Sequence, residues 1–151
     1  MLSRRSFLLS AAALVASRRV VLADVMPPPS VLTVYKDPNC GCCQKWIEHM
    51  SKAGFVLQVR DTSNMDEVKK TMRVPAGLQS CHTGIVDKYV IEGHVPADVV
   101  KKFLAEKSSM LGIAVPDMPA GSPGMEMGSR VDKYDIIAFD RDGKTKVYAK
   151  R

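Results

Sequence analysis

The chain has 151 residues, 22 of them Lys or Arg and 16 Asp or Glu, and is 46% hydrophobic but only 6% aromatic. That length supports one domain with a real core. No basic stripe interleaved with aromatic residues runs through it, which argues against a nucleic-acid partner.

The surplus of positive charge sits at the start, in MLSRRSFLLSAAALVASRRVVLADV. Arg4 and Arg5 precede an apolar stretch from Phe7 to Ala16, and Ala23 supplies a small residue at a cleavage position, the pattern of a secretory signal peptide. The apolar stretch is far shorter than the roughly 20 residues that span a bilayer, so residues 1–23 are predicted to be removed, leaving no membrane span in the mature chain. The pair in SRRSFL resembles a twin-arginine export signal, and Arg18 and Arg19 before the cut favour that route. Removal leaves 18 basic against 16 acidic residues in a single predicted domain, 24–151. The predicted location is the periplasm.

SVLTVYKD, residues 30–37, is a β-branched run closed by the turn signal DPN, which predicts a strand. CCQKWIEHMSKAG then places Cys43, Ile47, Met50 and Gly54 at helical spacing, with Gly54 as the stop. FVLQVRD, 55–61, predicts a second strand. SNMDEVKKTMRV predicts a helix capped by Ser63 or Asn64, with Val68 and Met72 inward and Pro75 beyond its end. TGIVDKYVIEG, 83–93, predicts two strands around a turn at Asp87 and Lys88, and PADVVKKFLAEKSS a helix entered through Pro96. The order βαβαββα, with a C-x-x-C pair opening the first helix, is the thioredoxin arrangement. An α/β fold with a mixed sheet and flanking helices is therefore expected.

Three of the four cysteines, Cys40, Cys42 and Cys43, fall at the start of that first helix. A helix N-terminus favours thiolate because its free amides and dipole stabilise negative charge. In a thioredoxin-like sheet the strand after the second helix runs antiparallel to the first and begins at the cysteine edge, where thioredoxins carry a cis-proline. Here QSCHTG places Cys81 and His82 at that point, and the end of the next strand, EGHVP, brings His94 to the same rim. An exported protein with an even cysteine count also admits structural disulfides, but a domain of this size does not need them.

Thiolates are soft ligands suited to Cu(I), zinc or iron–sulfur clusters. A disulfide oxidoreductase needs only Cys40 and Cys43, and Cys42 beside them invites unwanted exchange, so the third thiol favours a metal. Four thiolates around one Cu(I) leave a large buried negative charge, whereas several bridged Cu(I) ions approach neutrality. Zinc, in a closed Cys3His set, is the second choice.

His49, in mid-helix, reads as surface or packing, and Met50 and Met72 as core filler. Residues 111–130, LGIAVPDMPAGSPGMEMGSR, predict a Gly/Pro/Met loop. A long connection of this kind is often functional, and its thioethers at Met118 and Met125 are candidate soft ligands. Met127 lies in the same run. KYDIIAFDRDGKTKVYAK predicts a C-terminal β-hairpin that extends or covers a sheet edge.

DPNCGCC, SCHTG, YVIEGHVPADV and AVPDMPAGSPGMEMG together resemble the CopG-type copper-tolerance proteins of bacterial envelopes. The resemblance covers nearly all of the mature chain. It implies a thioredoxin-like domain that binds copper through Cys40, Cys42, Cys43 and Cys81 as a multinuclear thiolate-bridged Cu(I) cluster. Sequestration, transfer to an efflux or delivery protein of the envelope, and redox conversion all remain open as its purpose. A thiol-disulfide oxidoreductase using Cys40 and Cys43, and a structural zinc or disulfide domain, are the alternatives.

Overall fold

A computed structural model describes residues 30–151; the predicted signal peptide lies outside the described residues. The elements are β1 (Val31–Lys36), α1 (Gly41–Lys52), β2 (Val56–Asp61), α2 (Met65–Thr71), a 3-10 turn (Ala76–Leu78), β3 (His82–Val86), β4 (Tyr89–Gly93), α3 (Ala97–Ala105), β5 (Gly112–Val115), β6 (Asp135–Phe139) and β7 (Thr145–Lys150). The strands form one mixed sheet in the order β2-β1-β3-β4-β5-β6-β7. β1 runs parallel to β2 and antiparallel to β3, with Lys36 opposite His82. The start of β3 thus meets the end of β1, as the sequence order requires.

Alternation along the strands divides the interior in two. Leu32, Val34, Val86, Ile91, Ile113 and Ile136 point to the face covered by α1 and α3, where Trp46, Ile47, Met50, Val100 and Phe103 fill the main core. Val90, Ala114 and Phe139 point to the other face and meet Val74 and Leu111, with Met72 and Leu78 packed against them. Period-two strands between helices on both faces produce this arrangement.

Local chemistry sets the boundaries around the cysteines. After β1 the Asn39 amide donates to Asp37 Oδ1 at 2.8 Å, and the Cys40 amide to the Asp37 carbonyl at 3.0 Å, a tight turn that delivers the chain into α1. Buried Lys36 supports that turn from below, pairing with Asp61 at 2.9 Å and donating to the Asp37 carbonyl at 3.1 Å. Cys43, Trp46, Ile47 and Met50 form the buried stripe of α1. Gly54, at φ +94, ends the reversal after it.

Several details depart from expectation. The irregular connection begins at Pro116, because Gly112–Val115 pair with β4 and β6 as strand β5. Four apolar residues flanked by glycine and proline carry too little periodicity to reveal a strand. In α2, capped by Asn64, Val68 and Met72 are only half-buried, while Lys69 is buried. Pro96 stands at the N-cap of α3, just before its first turn. The terminal hairpin extends the sheet beyond β5. No helix of the described residues is long and apolar enough to cross a membrane.

Candidate metal centre

Helix α1 begins with Cys40 at its N-cap, with no side-chain cap hydrogen bond and no acidic residue in the first turn. The unpaired amides of the first turn and the helix dipole place the sulfurs there in a field that favours negative charge. Cys40 and Cys43 form a disulfide, while Cys42 and Cys81 are free thiols. Cys42 Sγ lies 3.6 Å from Cys40 Sγ and 3.8 Å from Cys81 Sγ. All four sulfurs lie within 4.8 Å of one another. Cys42 is the link between the helix start and β3.

Cys81 joins this patch to two buried imidazoles. His82 Nδ1 is 3.3 Å and His94 Nε2 3.1 Å from Cys81 Sγ, and the three ligand atoms form a second close group. His94 Nδ1 contacts the Pro123 carbonyl at 2.8 Å. A carbonyl only accepts, so Nδ1 carries the proton and Nε2 faces the sulfur bare. A backbone carbonyl behind an imidazole is how ligating histidines are oriented. The His82 ring tilts over Trp46 with centroids 4.3 Å apart, and its Nε2 is buried without a hydrogen-bond partner. An orphaned nitrogen is costly in an apolar surrounding.

The electrostatics follow from burial. His82 is held well below the ordinary histidine range by burial first, then by neighbouring His94 and Lys69. Burial also lowers His94, against the opposing pull of the Pro123 carbonyl and Glu126. Both rings are therefore neutral, the form that ligates metal. Burial, then the Cys42 sulfur, pushes the Cys81 thiol up to about 12. Without a cation Cys81 keeps its proton, and a bound metal has to displace it. The donor set of soft sulfurs and neutral imidazoles fits copper or zinc.

The loop after β5 closes over α1. Gly124, at φ +87, lies where a Cβ would stand 2.8 Å from the Trp46 amide nitrogen and 2.9 Å from the Cys42 carbonyl oxygen. Contacts within the loop order it: Gly121 donates to the Met125 carbonyl at 2.9 Å, Met125 to Ser122 at 2.8 Å, and Asp132 to Ala120 at 2.9 Å. Cys42, Lys45, Met125, Glu126 and Met127 line a groove of about 380 Å³ beside the start of α1. Of the candidate thioethers, Met125 shares this groove with Cys42 and Met127, while Met118 is exposed and outside the groove lining. A roomier cleft of about 710 Å³ between Pro116 and Ile137 has no thiol, thioether or imidazole in its lining. Gly124→Ala is expected to lift the loop off α1 at a cost of about 1–3 kcal/mol for the strained backbone and to expose Cys42; faster alkylation of Cys42 with a lowered Tm checks it.

His49 proves to be a packing residue, its Nε2 accepting from the Ala97 amide at 3.1 Å and so capping α3. Sequence reasoning missed a buried charge network beside Cys81. Glu92 accepts from Lys69 Nζ at 2.5 Å and from the Ser80 amide at 2.7 Å through Oε1, and from Thr83 Oγ1 at 2.7 Å through Oε2. The signal was a lone acid in the apolar run YVIEG, since a buried charge requires a partner. Burial raises the Glu92 carboxyl, opposed by the Lys69 ammonium and the other donors.

A family model described as a protein of unknown function, DUF411, matches residues 78–125, the stretch holding Cys81, His82, His94, Met118 and Met125. Two solved structures resemble the chain over most of its length. One, described as copper resistance protein CopG, form 2, is 43% identical, with 82% of this chain and 99% of that chain covered at a TM-score of 0.78. The other, form 1, is 44% identical, with 82% and 98% covered and the same TM-score of 0.78. No curated protein matches the chain.

Proposed function

This chain belongs to the CopG family of copper resistance proteins, and from that premise we propose that it holds Cu(I) as cargo, more than one ion at a time, on the sulfur patch at the start of α1. The observation that carries this is the approach of four cysteine sulfurs to within 4.8 Å of one another. Cu(I) is content with two or three soft ligands, so neighbouring sulfurs serve best as bridges. Two-electron reduction of the Cys40–Cys43 disulfide by an external dithiol, which is itself oxidised to a disulfide, supplies the remaining two thiolates.

His94 and His82 complete the set on the β4 and β3 side, and Met125 does so from the loop. Met118, outside the lining of the groove that Met125 shares with Cys42, is left out of this set. Each thiol engaged releases a proton, so binding weakens as pH falls. The protein works in the periplasm after removal of residues 1–23, and it contributes to copper resistance by holding copper for sequestration, for transfer to an efflux or delivery protein, or for redox conversion. Zinc is the second metal.

Anaerobic titration of the reduced mature protein against a chromophoric Cu(I) chelator tests the reading. More than one tightly held ion per chain is expected. A clean stop at one ion contradicts the shared-sulfur site, and binding no tighter than that of a simple dithiol contradicts the copper reading. The Cys40–Cys43 disulfide favours a second reading, a thiol-disulfide oxidoreductase in which Cys40 attacks and Cys43 resolves.

A further inference from the structure

We propose that Glu92 is the positioning residue for Cys81: its buried carboxylate grips the backbone amide of Ser80 and thereby sets where the Cys81 thiol stands relative to Cys42 and His94. The consequence for copper rests on the proposed function, whereas the positioning concerns the protein alone.

Ser80 and Cys81 precede β3, whose ladder pairs His82 with Lys36 on one side and Thr83 with Glu92 on the other. The two residues therefore need another anchor. The Ser80 amide finds it in Glu92 Oε1 at 2.7 Å. Ser80 also seats directly on the backbone of β4, since a Cβ at Gly93 would come within 2.7 Å of Ser80 Cβ and Oγ. With residue 80 held from two sides, Cys81 Sγ is kept in reach of Cys42 at 3.8 Å, His82 at 3.3 Å and His94 at 3.1 Å.

The anchor's chemistry is specific. Three donors converge on Glu92, from Ser80, Lys69 and Thr83, and only a carboxylate offers acceptor sites for all of them. Filling the same volume with an apolar pair is often neutral or stabilising. A fully buried Glu92 with Lys69 beside it thus has a use that core packing does not explain, and fixing the one thiol that is remote in sequence from the other three is that use.

The test compares wild type with Lys69→Met/Glu92→Gln, which keeps an amide oxygen for the Ser80 N–H, and with Lys69→Met/Glu92→Leu, which keeps the bulk and removes the acceptor. Neither double variant leaves a lone buried charge. In the oxidised, metal-free protein Cys42 and Cys81 are the free thiols, so bridging by dibromobimane, which fluoresces on joining two thiols, reports their approach without copper. Wild type and the Gln form should bridge at similar rates and the Leu form about tenfold or more slowly, because small misplacements of reacting groups cost that much. After reduction the Leu form, like Cys81→Ser, should also bind fewer Cu(I) ions. Bridging in a folded Leu form at the wild-type rate, or equal loss in both double variants, overturns the proposal. Hydrogen exchange of the Ser80 amide in the wild-type protein decides the matter without any variant: slow exchange is expected, and exchange as fast as in an open loop overturns it. The predicted bridging pattern in a protein that binds no Cu(I) would leave the positioning intact and remove the copper reading.

Discussion

Cys42→Ser is expected to lower the Cu(I) stoichiometry of the reduced protein and to weaken what remains by at least about 10–100-fold, the loss seen when even an outer partner of a metal ligand is removed. The reason is its place in the chain of sulfurs: Cys42 Sγ lies between Cys40 Sγ at 3.6 Å and Cys81 Sγ at 3.8 Å. Its removal leaves three sulfurs without the member that makes the short contacts to both Cys40 and Cys81, so part of the bridging that neutralises charge is lost. The same substitution spares the C-x-x-C pair and the helix start that an oxidoreductase uses. Chelator titration and a disulfide reductase assay on one preparation separate the two readings. Unchanged stoichiometry in Cys42→Ser, with exchange activity abolished in Cys40→Ser, would establish the oxidoreductase instead.

Lys69→Met alone should destabilise the fold by about 3–5 kcal/mol, the usual cost of leaving one member of a buried ion pair without the other. Glu92 is fully buried and Lys69 nearly so, and their contact is 2.5 Å. The carboxylate has no exposed surface through which solvent could take the ammonium's place. For a domain of this size that loss lowers Tm by on the order of 10 °C. Adding Glu92→Leu should return most of it, since the double variant holds no uncompensated charge. Chemical denaturation of the single and double variants measures both, and a single variant as stable as wild type would show that Glu92 is protonated and satisfied by Thr83 and Ser80.

Much of this architecture was legible because the relevant signals are periodic or local. The β-branched run at 30–37 with its closing turn signal, the two apolar runs of 83–93 around Asp87 and Lys88, and the 3-4 spacing of Cys43, Ile47 and Met50 marked elements whose order then required Cys81 and His94 to meet the first three cysteines. What stayed hidden depends on contacts between residues far apart in sequence. Lys69 reads as solvent-facing on a short polar helix until its partner on β4 is known. The strand Gly112–Val115 is too short to show a period. Met118 and Met125 look equivalent in a Gly/Pro-rich run, and only the seating of Gly124 on α1 distinguishes the thioether that reaches the groove from the one that does not.

The central claim is that the four sulfurs hold several Cu(I) ions in common. X-ray absorption at the copper edge of the anaerobically loaded mature protein tests it most directly. The account predicts a Cu(I) edge, a first shell dominated by sulfur, and a copper–copper scattering path at short distance, which only bridging thiolates produce. A single isolated copper with no metal neighbour, or a first shell of nitrogen and oxygen, would contradict it.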